Sequence, residues 1–170
     1  VVDNLAQGTW YFSMTAYTGG AMQLTGWQHP VVVDLTGLRV TRKSRPILKD
    51  HDRASIVGHT DDIQISDSKL EVSGVISGVG ATAQEVIATS ENGFPWQASL
   101  GASADKVIFV PEGRSAQANG REFAGPVYIA RKSTLGEVSF VALGADDDTQ
   151  ARVAAERLAE ANRLLLEIDE

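Results

Sequence analysis

Between residues 93 and 102 the chain reads Gly93-Phe-Pro-Trp-Gln-Ala-Ser99-Leu-Gly-Ala102. This stretch predicts a short strand, entered through Pro95, that presents Ser99 between small residues. Small neighbours allow a substrate backbone to come close to the hydroxyl. A serine hydroxyl is a weak nucleophile by itself and needs an adjacent base, which a third group must orient. If Ser99 is a nucleophile, its base and orienting group must come from histidines and carboxylates elsewhere in the chain.

A histidine and a carboxylate occur on two other predicted elements. Asp50-His51-Asp52 comes before the serine, and Gly136-Glu137-Val138-Ser139-Phe140 comes after it. In a triad, His51 would take the proton of Ser99, and Glu137 would accept the other imidazole N–H. The carboxylate would fix the tautomer and stabilise the imidazolium formed during attack. We interpret His51, Ser99 and Glu137 as a candidate catalytic triad.

Each of these roles has a rival in the sequence. His59 is a second candidate base, but an extended chain would carry it roughly 25 Å from His51, so both cannot serve one serine. The serines that compete with Ser99 are Ser73, Ser103 and Ser139. A metal site built from His51, Asp52 and His59 matches no zinc template, so no metal is expected. Backbone amides near residues 99–101, or a loop bearing Arg131, are the candidate sources of oxyanion donors.

The ordered set of motifs resembles the prohead (capsid-maturation) serine proteases of tailed bacteriophages and prophages. The resemblance covers roughly residues 11–147, most of the chain. Its matching segments are Ile47-Leu-Lys-Asp-His51-Asp52, Ile56-Val-Gly58-His-Thr60, Gly93-Phe-Pro-Trp-Gln-Ala-Ser99 and Leu135-Gly-Glu-Val-Ser-Phe-Val141 followed by Gly144-Ala-Asp146. The resemblance assigns the base to His51 and the nucleophile to Ser99. The fold and this pair are also similar to those of assemblin, the herpesvirus capsid protease, whose third member is a second histidine. Here Glu137 stands in the matching region, and no histidine follows His59.

The resemblance implies a function. It implies a serine endopeptidase that cleaves scaffold and major capsid protein, and itself, during phage procapsid maturation. Such an enzyme needs no metal or organic cofactor, and it would work in the cytoplasm of the bacterial host, inside the procapsid. The alternative is a catalytically inactive capsid-assembly or scaffold-binding domain with the same fold.

Hydrophobic patterning predicts an α+β fold. Apolar and β-branched runs indicate strands over residues 9–16, 31–35, 69–76, 96–101, 106–110, 127–132 and 135–143. Asn119-Gly120 indicates a tight hairpin, and residues 80–93 indicate a helix. We expect a small, mainly antiparallel β-barrel with flanking helices over residues 1–147.

The end of the chain predicts an amphipathic helix. Apolar residues recur at helical spacing between Ala154 and Ile168, and three aspartates at 146–148 would cap the helix. We therefore assign residues 148–170 to a C-terminal helix that leads toward a scaffold-like segment.

Composition limits the function further. The chain has 170 residues, 43% of them hydrophobic, and lacks cysteine, which excludes disulfides and thiolate catalysis. A net charge of −7 argues against a nucleic-acid partner, because phosphates require clustered lysine and arginine. The short basic stretch Arg42-Lys-Ser-Arg45 is interpreted as a solvated loop. No apolar run approaches the ~20 residues that cross a bilayer, so no membrane partner is expected. Assembly into a homo-oligomer is left open.

Overall fold

The structure, a computed structural model, describes residues 8–155. Strands dominate this range, and the elements in chain order are β1 (Tyr11–Tyr17), β2 (Val31–Val33), β3 (Leu38–Arg39), β4 (Pro46–Lys49), β5 (Asp52–Ile65), β6 (Leu70–Val75), α1 (Ala81–Glu91), β7 (Gln97–Val110), β8 (Ser115–Ala118), β9 (Arg121–Ala124), β10 (Val127–Val141) and β11 (Gln150–Ala154). The predicted strands at 96–101 and 106–110 are parts of the single strand β7. The predicted helix within residues 80–93 is present as α1. The predicted hairpin at Asn119-Gly120 joins β8 to β9, and both turn residues have positive φ.

The sheet is organised around β10. Along one edge of β10 the short strands β2, β3 and β4 pair in succession, all parallel to it. Along the other edge β7 pairs antiparallel over nearly its whole length. From β4 the sheet continues antiparallel through β5, β6 and β1 to β11.

Alternating side chains place the main hydrophobic core on one face of this sheet. On β1, Phe12, Met14 and Ala16 are buried while the residues between them are partly exposed, as expected for a strand with one face toward the core. Helix α1 contributes its buried Ala83 and Val86 to the same core.

The segment that enters β7 is fixed by this core. Trp96 is buried, meets Phe140 of β10 edge to face, and donates from its indole N–H to the Thr89 hydroxyl of α1 at 2.9 Å. Phe140 in turn meets Phe12 edge to face. The chain therefore reaches Ser99 from a rigid starting point.

The predicted fold class is wrong. The sheet is mixed rather than mainly antiparallel, and it is not closed into a barrel. A backbone hydrogen bond of 3.1 Å from the Ala151 N–H to the Trp96 carbonyl connects the two ends, β11 and β7, and no strand ladder forms between them in residues 8–155. The expectation of several flanking helices also fails, because within the same residues α1 is the one α-helix.

The predicted C-terminal helix is contradicted at its start. Residues 150–154 form β11, which pairs antiparallel with β1 from Tyr11↔Ala154 to Thr15↔Gln150. The Asp146 carboxylate does not cap a helix; it accepts the Thr18 N–H at 2.6 Å and the Asp148 N–H at 3.1 Å, and so shapes a turn. The edge of β1 offers backbone partners that local helical periodicity does not reveal. Residues 156–170 of the predicted helix lie outside the described part of the chain.

Phe140→Ala should destabilise the fold strongly. The Phe140 side chain is fully buried between Phe12 and Trp96, so truncation should lower the free energy of unfolding by about 3–5 kcal/mol. Urea unfolding followed by circular dichroism measures the change. Phe109→Ala is the matched control, because Phe109 is 49% exposed and its loss should cost much less. Equal costs for the two variants would contradict this description of the core.

Candidate active site

The pairing of β7 with β10 brings Ser99 and Glu137 to one face of the sheet. Ser99 lies directly opposite Ser139, and Gly101 lies directly opposite Glu137. Side chains of directly paired residues lie on the same face, as do residues two apart on one strand. A side chain at position 101 would overlap Oε1 of Glu137. Glycine at 101 therefore leaves the space that the Glu137 carboxylate occupies.

His51 is held at the turn between β4 and β5. Asp50 and His51 both have left-handed backbone conformations, with φ of 54° and 58°, which cost energy for residues other than glycine. Two hydrogen bonds dock the turn onto β10: the Asp50 N–H donates to the Phe140 carbonyl, and the His51 N–H donates to the Ser139 hydroxyl, each at 3.0 Å. The turn thus aims the imidazole along the face that carries Ser99.

The structure brings the three predicted residues into one chain of contacts. His51 Nε2 lies 2.9 Å from Ser99 Oγ, and His51 Nδ1 contacts Oε1 of Glu137. An ionised carboxylate only accepts hydrogen bonds, so Nδ1 carries the proton and Nε2 is left to accept the Ser99 proton. The His51 side chain is 42% exposed and the Glu137 side chain 17%, so a substrate reaches the base while the carboxylate is sheltered.

The carboxylate changes the acidity of the histidine. The hydrogen bond to Glu137 is the main cause that raises the pKa of His51, and the negative charges of Glu137 and Asp50 add to it. Partial burial of the imidazole opposes the rise but does not cancel it. The arrangement therefore stabilises the imidazolium, the species that forms when a base removes a serine proton.

Ser139 connects the carboxylate to the histidine backbone. Its hydroxyl is fully buried, donates to Oε2 of Glu137 at 2.7 Å, and accepts the His51 N–H at 3.0 Å. The sequence offered Ser139 as a rival nucleophile, but its buried position excludes that role in this structure. Ser139 follows Glu137 by two residues on one strand, and this spacing already indicated that the two side chains share a face.

Of the other rivals, Ser103 lines the cavity beside His51 and Glu137, whereas His59, Asp52 and Ser73 make contacts elsewhere. His59 Nδ1 contacts the Ser77 hydroxyl at 2.7 Å. Asp52 accepts from Ala54 and Ser55 within its own turn, and the Ser55 hydroxyl is the largest cause that lowers the pKa of Asp52. Ser73 pairs with Ser13 on the strand ladder of β1 and β6.

Two other groups from the sequence also lie outside the site. Arg131 donates to the Asp34 carboxylate and to the Gln117 carbonyl, so its guanidinium is engaged there. In residues 8–155, no group of three or more His, Asp or Glu side chains is arranged to hold a metal ion. Nor is any helix of that range long and apolar enough to cross a membrane.

Comparison with known proteins supports a protease-like fold. The chain is similar to the KSHV protease, a herpesvirus serine protease, in a crystal structure with a hexapeptide phosphonate inhibitor. The TM-score is 0.51 at 14% sequence identity, and the match covers 95% of this chain and 76% of that one. At this identity the likeness establishes the fold alone. No protein-family model and no curated protein sequence matches the chain, so membership of the phage prohead family stays a prediction.

Glu137→Gln should shift the pH dependence of any His51-dependent reaction. Glu137 raises the pKa of His51 above the ordinary histidine value of about 6.5. The wild-type imidazole is therefore protonated, and unable to act as a base, at a higher pH than an ordinary histidine would be. The variant should lower the rate and move the acid limb of kcat/KM toward lower pH. The same pair stabilises the folded protein below about pH 6.5, and that contribution disappears as pH rises through the raised pKa. An unchanged acid limb would contradict the proposed contact.

Ser139→Ala should disturb Glu137 and His51 without touching substrate. Because the loss of both hydrogen bonds frees the carboxylate and the turn, we expect kcat to fall by roughly a hundredfold while KM stays the same. Steady-state kinetics separates the two parameters. Ser133→Ala is the matched control, because Ser133 is also buried on β10 and its hydroxyl has no hydrogen-bond partner among residues 8–155. A loss of kcat in the control as large as in Ser139→Ala would refute the positioning role.

Proposed function

We propose that this protein is a serine endopeptidase in which Ser99 is the nucleophile, His51 the base and Glu137 the orienting carboxylate. The observation that carries the proposal is the contact chain from Ser99 Oγ through both imidazole nitrogens to Glu137. The fold shared with a herpesvirus serine protease supports it.

The mechanism follows from the positions of the protons. His51 Nε2 accepts the Ser99 proton while the hydroxyl oxygen attacks a peptide carbonyl, and Glu137 stabilises the resulting imidazolium. The imidazolium then protonates the leaving amine, which departs and leaves an acyl-enzyme. A water molecule, deprotonated by the same imidazole, hydrolyses the ester and regenerates Ser99.

The competing proposal is an inactive capsid-assembly or scaffold-binding domain. One observation favours the enzyme over it. Ser99 is only half-buried rather than enclosed in the core, and His51 is exposed on the same face. A serine that served only to pack the sheet would have no need of an exposed imidazole in contact with its hydroxyl.

We further propose that the substrates are the scaffold and major capsid proteins of a phage procapsid, together with the protease itself. The ordered motifs around His51, Ser99 and Glu137 support this narrower assignment, because they resemble those of prohead proteases. Cleavage would then occur inside the assembling particle in the bacterial cytoplasm.

Ser99→Ala should abolish processing of the cognate scaffold and capsid proteins and leave the fold intact, because it removes one half-buried hydroxyl. Incubation of purified proteins followed by mass measurement of the fragments tests this, and a melting curve verifies folding. His51→Ala should lower the rate by roughly 10⁴-fold or more. His59→Ala is the matched control and should retain most activity, because its imidazole contacts Ser77 instead. Full activity of the Ser99 or the His51 variant would refute the assignment.

If no scaffold or capsid fragment appears but a general peptide pool is cleaved in a Ser99-dependent way, the phage assignment fails and the endopeptidase remains. If neither is cleaved by wild-type protein, the binding-domain alternative is favoured.

A further inference from the structure

An open cavity of about 500 Å³ lies beside the His51–Glu137 pair. Gly101 and Ser103 of β7 and Thr134 of β10 form part of its wall, and two arginines, Arg45 and Arg53, also line it. The triad chemistry does not use these two arginines. The cavity thus adds charged residues next to the proposed reaction site.

The charge of the cavity opposes that of the whole protein. The chain carries a net charge of −7, yet the described lining holds Arg45 and Arg53 against the single carboxylate Glu137. That carboxylate is already bound through both oxygens, to His51 and to Ser139. The two guanidinium groups therefore give the cavity a positive potential that a ligand carboxylate would match.

Arg45 is fixed in place rather than solvated. Its Nε donates to the Gly136 carbonyl at 2.8 Å, and its backbone N–H donates to the buried Thr60 hydroxyl at 2.7 Å. The same hydroxyl donates to the Lys43 carbonyl at 2.7 Å, so the basic stretch 42–45 is held against β5. The stretch 42–45 is a loop, with residues 42–44 exposed and Arg45 partly buried. A guanidinium has five N–H donors, and the bond to Gly136 uses the one on Nε.

The cavity lies within reach of a bound peptide. Gly101 is two residues from Ser99 on the same strand and the same face, a separation of roughly 7 Å. His51 borders the cavity as well as contacting Ser99. A side chain one or two residues from the scissile bond would therefore extend into the space between Arg45 and Arg53.

We propose that this cavity is a substrate subsite that binds the carboxylate of a glutamate or aspartate close to the cleaved bond. The planar guanidinium of arginine matches a carboxylate with paired hydrogen bonds. Ser103, which also lines the cavity, has a hydroxyl that is an additional donor, whereas the Thr134 hydroxyl already donates to the Asp105 carboxylate at 2.8 Å. The inference rests on the proposed endopeptidase function, and it gives that function a substrate class: peptides with an acidic residue beside the cleavage site.

The test measures peptide binding to the Ser99→Ala protein, in which hydrolysis does not interfere. Fluorescein-labelled octapeptide pools, each with one position fixed as Glu, Gln or Lys, are compared by fluorescence anisotropy. Glu should bind roughly fivefold more tightly than Gln at one position, and the difference should shrink in ~1 M salt. Arg53→Met and Arg45→Met, each added to Ser99→Ala, should remove the preference for Glu. Arg53→Glu in the same background should make the Lys pool bind more tightly than the Glu pool.

Arg114→Met is the matched control, since Arg114 does not line the cavity, and it should keep the full preference for Glu. Equal binding of the Glu and Gln pools at every position would overturn the proposal. So would a preference that survives in the Arg45→Met, Arg53→Met double variant. Cleavage of the Glu pool by wild-type protein is measured in parallel. Binding with the expected preference but without cleavage would support the carboxylate site and reject the endopeptidase.

Discussion

The antiparallel register between β7 and β10 is the constraint on which the site depends. It sets Ser99 opposite Ser139 and Gly101 opposite Glu137, so that the Ser99 hydroxyl and the Glu137 carboxylate share a face. A slip of one residue would turn one member of each pair to the other face of the sheet. The register is specified by burial, because Val138 and Phe140 on β10 and Ala98 on β7 are all enclosed in the core. Hydrophobic patterning thus determines the geometry of the polar side chains.

The histidine enters this arrangement through backbone contacts rather than through its own strand. The turn at Asp50 and His51 is anchored to Phe140 and Ser139 of β10. Ser139 also holds the Glu137 carboxylate, so a single buried hydroxyl links the orientation of the acid to that of the base. Buried polar groups that are fully satisfied in this way make a site rigid. The raised pKa of His51 follows from the same contacts.

The sequence was sufficient to nominate His51, Ser99 and Glu137 and to locate α1, because these depend on residue types and local spacing. The open, mixed sheet was not predictable in this way, because the parallel pairing of β10 with β2, β3 and β4 joins segments far apart in the chain. Residues 150–154 were assigned to the C-terminal helix but pair with the free edge of β1, a partner about 140 residues away. The roles of Ser139 and Arg45 also escaped prediction, since both depend on partners that only the folded chain brings near.

If His51 activates Ser99, reaction with a fluorophosphonate reveals it most directly. An activated serine oxygen displaces fluoride from phosphorus and keeps the phosphonyl group, while the base takes the proton. We expect one adduct per chain, mapped by mass spectrometry to Ser99, and its near-complete loss in His51→Ala. Labelling of a different serine, or labelling of Ser99 at the same rate without the His51 imidazole, would contradict it.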